Sequence, residues 1–232
     1  MIANLNQLGI HKVAVVDDDP QNAEGLCIMV ETCGGKSFAI TNNFADLDKL
    51  VNDIRKNYDG VLCDHRLGRR TEAAFTGAEA VAKWFDFKYP AILVSEYNDF
   101  DTNTTIRRWR RKIPVSISRD AFDIPRMFDG FEICRSEFKN KIPSFRKPYR
   151  AMVRVVELGT DSGVSFVEAF VPQWNPQKAV RFPACLLGKL EEIVKPDMLF
   201  IAKINIGARN AEELFFEEFE IAPEPDPNDG LA

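Results

Sequence analysis

The 232-residue sequence has no apolar run near the roughly 18 residues that a membrane-spanning helix needs. Its start, MIANLNQLGIHK, lacks the basic-then-apolar layout of a secretion signal. A cytoplasmic protein with no membrane partner is expected. Histidine is scarce, with only His11 and His65. The five cysteines, Cys27, Cys33, Cys63, Cys134 and Cys185, form no C-x-x-C pair. These shortages argue against a zinc site and a disulfide framework, and leave buried free thiols as the expectation. Bases are outnumbered, 30 Lys and Arg against 35 Asp and Glu. The net charge of −5 argues against non-specific binding to nucleic acid or to an anionic membrane as the default. There is no internal repeat. Hydrophobic residues make up 45%, enough for one large domain or two small ones.

The first 138 residues alternate strand-like and helix-like segments. KVAVV (12–16), KSFAIT (36–41), GVLCD (60–64), PAILVS (90–95) and IPVSIS (113–118) read as strands: short, apolar and bounded by polar residues. Between and after them, 21–33, 44–57, 76–87, 99–111 and 124–138 read as helices. Pro20 opens the first. Leu47, Leu50, Val51 and Ile54 share one face of the second. Ile124, Phe128, Phe131 and Phe138 are core contacts of the last. Alternation of this kind predicts an α/β fold, a doubly wound five-stranded parallel sheet covered on both faces.

NKIPSFRKP (140–148) reads as a linker. Short strand candidates follow: YRAMVRVVEL (149–158), VSFVEAFV (164–171), KAVRF (178–182), MLFIAKINI (near 197–206) and LFFEEFEI (214–221). Only CLLGKLEEIV (185–194) looks helical. The expected organisation is a first domain over 1–139, a linker over 140–148, a small β-rich barrel or sandwich over 149–222, and an acidic disordered tail over 223–232. Trp174 and the phenylalanines at 166, 170, 182, 200, 215, 216 and 219 supply the barrel core. This second domain shows no histidine, Gly-rich phosphate loop or nucleophile elbow.

Chemistry-bearing residues sit at the carboxyl ends of the parallel strands, where such sheets bind ligands. VAVVDDDPQN brings Asp17, Asp18 and Asp19 to the end of the first. Asp64 ends the third, Ser95 the fourth, and Arg119 follows the fifth. Crowded carboxylates repel one another unless something positive joins them.

VVDDDP, LCDHRL with the later TGAEA, ILVS and ISRD resemble, in order and spacing, the receiver domain of two-component response regulators. The resemblance spans residues 12 to about 138. It implies that Asp64 accepts a phosphoryl group from a histidine kinase or phosphotransfer protein. Mg2+ would be held by Asp17, Asp18, Asp64 and the backbone carbonyl of Arg66, with Asp17 acting through water. Ser95 would hydrogen-bond the phosphoryl group and Arg119 would replace the family's lysine. Gly77 and Glu79 fall in familiar places. Lys147-Pro148 looks like the family's usual Lys-Pro but follows the last helix, and is set aside.

Three departures stand out. Arginine is bulkier than lysine and grips anions through a fork. Ser116 occupies the place of the family's aromatic switch. RLGRRTEAAFTG, with Arg66, Arg69 and Arg70, is longer than the usual loop and can cover the site or dock a partner.

Several readings stay open. RRWRRK (107–112) is a solvated face or a dock for an acidic protein. His65 faces the loop or hydrogen-bonds near the phosphate. Asp17 and Asp19 loosely fit the D-x-D of haloacid dehalogenase-like phosphatases, a fit that leaves Asp64 unexplained. The expected function is phosphoacceptor signalling without a separate catalytic domain. Output would pass through an unidentified protein partner of the β-rich domain, with no nucleic acid involved. The alternative is a receiver-shaped assembly subunit that works without phosphate.

Overall fold

The structure is a computed structural model that describes residues 4–42, 44–68, 70–96 and 101–223. Arg69 and the tail from residue 224 lie outside the described residues. The chain divides into two compact units, Met1–Pro143 and Ser144–Ala232.

The first unit contains β1 (Lys12–Val16), α1 (Pro20–Thr32), β2 (Lys36–Ile40), α2 (Leu47–Asn57), β3 (Gly60–Asp64), α3 (Gly77–Asp86), β4 (Ala91–Ser95), β5 (Val115–Ser118) and α4 (Ile124–Phe138). All five strands are parallel, in the order β2-β1-β3-β4-β5. Successive side chains of a strand point to opposite faces, so each face builds its own core. Val13, Val15, Leu62, Ile92, Val94 and Ile117 pack with Ala23 and Leu26 of α1 and Met127 and Phe131 of α4. Ala14, Val16, Val61, Cys63 and Leu93 pack with Leu50, Val51 and Ile54 of α2 and Val81 and Trp84 of α3. The near-continuous apolar runs of the inner strands follow from this double burial. Leu47, Ile124, Phe128 and Phe138 pack at the margins, half-buried.

Helix starts are set by side-chain caps. Asp19, Asp46, Thr76 and Asp123 accept from the backbone N–H groups of Gln21, Lys49, Glu79 and Arg126. Asp19 therefore has a structural duty, with Pro20 in the first turn behind it.

The 99–111 segment is helical where it is described, as expected, but it is not an α-helix. Asp101–Ile106 forms a π turn and Arg107–Lys112 a 3-10 segment. Nor is RRWRRK a wholly solvated face, because Arg107 and Arg110 are buried. Arg107 donates to Asn103 Oδ1 and Arg110 to the Ile113 carbonyl. Arg111 and Lys112 pair with Glu137 and Asp86. The cysteines also differ from expectation, since Cys33, Cys63 and Cys134 are buried but Cys27 is half-buried and Cys185 exposed.

The second unit is one five-stranded antiparallel sheet, in the order β10-β9-β6-β7-β8. Its strands are β6 (Tyr149–Asp161), β7 (Val164–Val171), β8 (Asn175–Pro183), β9 (Leu199–Ile204) and β10 (Phe216–Ile221). In a flat sheet the outer two strands would lie about 19 Å apart. Yet the Phe182 ring of β8 stacks on Phe216 of β10 with centroids 4.6 Å apart. The sheet is curled like an open barrel around Val153, Val167, Phe182, Phe200 and Phe216. Residues 185–194 are not an α-helix. A 3-10 segment (Ala184–Glu192) breaks at Gly188, whose φ of 57° lies in the left-handed region.

Candidate functional site

β1, β3, β4 and β5 end side by side, and residues at or just past their ends meet in one cavity of about 90 Å³. Asp17, Asp18, Asp64, Ser95, Arg66 and Arg119 all line it, with Asp19, His65 and Arg70. The six residues predicted for the phosphoryl and metal roles are thus brought together. Asp17, Asp18 and Asp64 each offer a carboxylate oxygen, all within 4.8 Å of one another.

Arg119 is the built-in counter-ion. Its Nη2 lies 2.8 Å from Asp17 Oδ2 and 2.6 Å from Asp64 Oδ1. The two carboxylates hold the guanidinium above its ordinary pKa, outweighing the opposing effect of burial. Asp17 is 1% exposed, and burial pushes its carboxyl above the usual 3.8, with the Asp64 charge adding to the rise. Asp64 Oδ2 accepts the Arg66 backbone N–H at 2.6 Å.

The long loop after β3 folds back onto the acids. The Arg70 backbone N–H donates to Asp18 Oδ2 at 2.7 Å, and its guanidinium lies 2.8 Å from Asp19. Gly77 lets this happen. Its N–H donates to the His65 carbonyl, and a Cβ there would sit 1.8 Å from the Asp64 carbonyl oxygen.

His65 does not face the loop. It is 2% exposed, with Nε2 at 2.9 Å from Thr105 Oγ1 and 3.6 Å from Asp101 Oδ1. Asp101 and Thr105 were not among the sequence candidates. An acid followed four residues later by a hydroxyl, just past a strand ending in serine, is the available signal. Burial pushes Asp101 up, but His65 and Arg66 outweigh it and hold the carboxyl below 3.8. A depressed folded pKa contributes stability above the unfolded value, and that stability is lost as pH falls through the folded one. Asp101→Asn should therefore flatten the decline in melting temperature below about pH 4. An unchanged acid limb would contradict the assignment.

Three polar atoms around the cavity are buried with no hydrogen-bond partner among the described residues: Ser95 Oγ, Arg119 Nε and His65 Nδ1. Buried polar atoms are rarely left this way. Arg119 Nε can only donate and Ser95 Oγ can donate as well as accept, so one acceptor would satisfy both. The carboxylates in turn suit a hard cation that keeps several waters. The donor set thus fits a small divalent ion with an anionic group beside it.

No family model and no curated protein matches the chain. Among solved structures it is similar to a response regulator receiver domain protein from Clostridium thermocellum, at 12% identity and TM-score 0.43, over 56% of this chain and 98% of that one. It is also similar to the receiver domain of Francisella response regulator 1452, at 18% identity and TM-score 0.41, over 55% and 98%. A response regulator protein from Thermotoga maritima, solved with Mg2+ and BeF, matches at 15% identity and TM-score 0.41, over 54% and 99%. The strand order, not these likenesses, carries the class. The first unit has a receiver fold, in the flavodoxin-like order 2-1-3-4-5.

Proposed function

We propose that the protein is a phosphoacceptor of the response-regulator kind, loaded on Asp64. One observation carries this most directly: two orphaned donors, Ser95 Oγ and Arg119 Nε, line the same small cavity as three converging carboxylates. An acidic cluster alone would ask only for a cation. Donors beside it ask for an anion as well.

In this reading an Asp64 oxygen attacks the phosphorus of a partner's phosphohistidine. An O–P bond forms, the P–N bond breaks, and the imidazole nitrogen keeps the electron pair. Both reactants are anionic, so charge must be offset in the transition state. Asp17, Asp18, Asp64 and the Arg66 carbonyl would hold Mg2+, which supplies part of that charge when bound. Arg119 stays within reach of Asp64 and supplies another part, through a fork that lysine lacks. Ser95 donates to the phosphoryl group. The Arg66 N–H keeps Asp64 oriented. A histidine kinase or phosphotransfer protein is the donor, and a cytoplasmic location goes with that partner. The β-rich unit carries the output through a protein contact.

Incubation with magnesium and acetyl phosphate, followed by intact mass, tests the chemistry. The wild-type chain should gain one phosphoryl mass. Asp64→Asn, or excess chelator, should reduce the yield at least tenfold. An adduct of equal yield in Asp64→Asn would move the acceptor elsewhere.

A second reading, an assembly subunit that needs no phosphate, draws on Arg119. This side chain pairs Asp17 with Asp64 and so offsets part of their charge itself. If that reading holds, Asp64→Asn leaves partner binding unchanged.

A further inference from the structure

Asp101 is an acid only 6% exposed, and three side chains converge on it. Arg66 Nε donates to Oδ2 at 2.7 Å, and Arg66 Nη2 lies 2.6 Å from the same oxygen. Thr105 Oγ1 donates to Oδ1 at 3.2 Å, and His65 Nε2 stands 3.6 Å from it. Asp101 is also the first residue of the π turn, a rare backbone form that is frequent at functional sites.

His65 and Arg66 are the two residues that follow Asp64. Arg66 faces both ways. Its side chain grips Asp101, while its backbone N–H donates to Asp64 Oδ2 at 2.6 Å. One residue thus separates the acid of the π turn from the acid in the cavity. Outer partners of this kind fix the orientation of the groups they hold.

We propose that Asp101 is a positioning residue for Asp64. By clamping Arg66 it fixes the N–H that orients the carboxylate, and it ties the segment 101–112 to whatever Asp64 carries. Coupling of this sort is reciprocal, so a change at either end is felt at the other. The second half of the inference rests on the phosphoacceptor reading; the first does not. It also supplies a route that Ser116, with no aromatic ring, cannot supply. The route is local. Ser95 lies on the strand that precedes Asp101, and Arg107 and Arg110 anchor the rest of the segment inside the fold.

Amide hydrogen exchange on the full chain tests this. Asp101→Asn keeps the shape and removes the charge. Exchange at Arg66 and across 101–112 should rise about tenfold, with the β1 and β3 amides unchanged. Arg66→Lys keeps a cation but not the fork, and serves if the first variant loses its fold. It should loosen 101–112 as well. The double variant should exchange no faster than the worse single, since one contact cannot be lost twice. After phosphoryl loading by a competent kinase, exchange across 101–112 should change in the wild type and stay constant in Asp101→Asn. Unchanged exchange at Arg66 in Asp101→Asn, or in 101–112 of Arg66→Lys, overturns the proposal. So does an equal response to loading in both chains. If the wild type takes no phosphoryl group from that kinase, the phosphoacceptor reading fails, and the Arg66 comparison alone decides whether Asp101 positions Asp64.

Discussion

Arg119→Ala should lower the stability of the first unit by about 3 kcal/mol at pH 7, the lower end of the cost of stripping one partner from a buried ion pair. The lower end applies because the Arg119 side chain keeps 18% of its exposure, while Asp17 keeps 1%. The loss corresponds to a fall in melting temperature of roughly 10 °C for a unit of this size. Asp17 and Asp64 would be left facing each other without their shared cation. Two dependences separate this cause from lost packing. The first is pH. Asp17 already has a raised folded pKa, so the folded state binds its proton more tightly than the unfolded chain does. Stability tied to that proton is present at low pH and is lost as pH rises through the folded value. The deficit of Arg119→Ala should therefore shrink as pH falls from 7 toward 5. The second is magnesium, which should stabilise the variant more than the wild type, because in the variant it replaces a missing charge. At a hundred times its dissociation constant it would return about 2.7 kcal/mol. A deficit indifferent to both pH and magnesium would mean that Arg119 matters through packing alone.

Gly77→Ala should cost at least the ~3 kcal/mol that marks the upper range of overpacking. The reason is local and rigid. The added methyl carbon would sit 1.8 Å from the Asp64 carbonyl oxygen and 3.0 Å from the His65 Cα, both backbone atoms that cannot rotate away. Either α3 retreats from the end of β3 or the chain around Asp64 shifts. Both outcomes disturb the cavity, so phosphoryl loading should fall along with stability. Gly163→Ala is a suitable control. It lies in a β6–β7 turn at positive φ, but a Cβ there meets nothing within 4 Å. It should cost only the strain of the left-handed backbone, about 1 kcal/mol, and leave loading intact. Equal effects of the two substitutions, measured by denaturant unfolding of the full chain, would contradict the account of Gly77.

The fold and the cavity were legible in the sequence because one device does both jobs. Strands buried on two faces must be apolar throughout, so a polar residue at or just past a strand's end is conspicuous. Asp17, Asp64 and Ser95 all stand out this way, and parallel strands deliver their ends to one side. What escaped was set by partners distant in sequence or by backbone geometry that apolar periodicity does not show. His65 reads as a loop residue until Asp101 and Thr105, brought in by another strand, surround it. RRWRRK reads as a solvated run because charge is the visible signal, whereas Arg107 and Arg110 are held by Asn103 and the Ile113 carbonyl in a turn without α periodicity. In the second unit, CLLGKLEEIV has apolar spacing suited to a helix. Gly188 at positive φ interrupts it, and spacing does not reveal a backbone angle.

The central claim is that Asp64 takes a phosphoryl group in a cavity built from strand ends. It is tested most directly by transfer from a phosphorylated histidine kinase, read by intact mass and by mapping the modified residue. The account predicts a single phosphoryl adduct on Asp64 that requires magnesium, disappears in Asp64→Asn and is slowed in Ser95→Ala. No adduct from a kinase shown to load another receiver, or one that maps elsewhere, would contradict it.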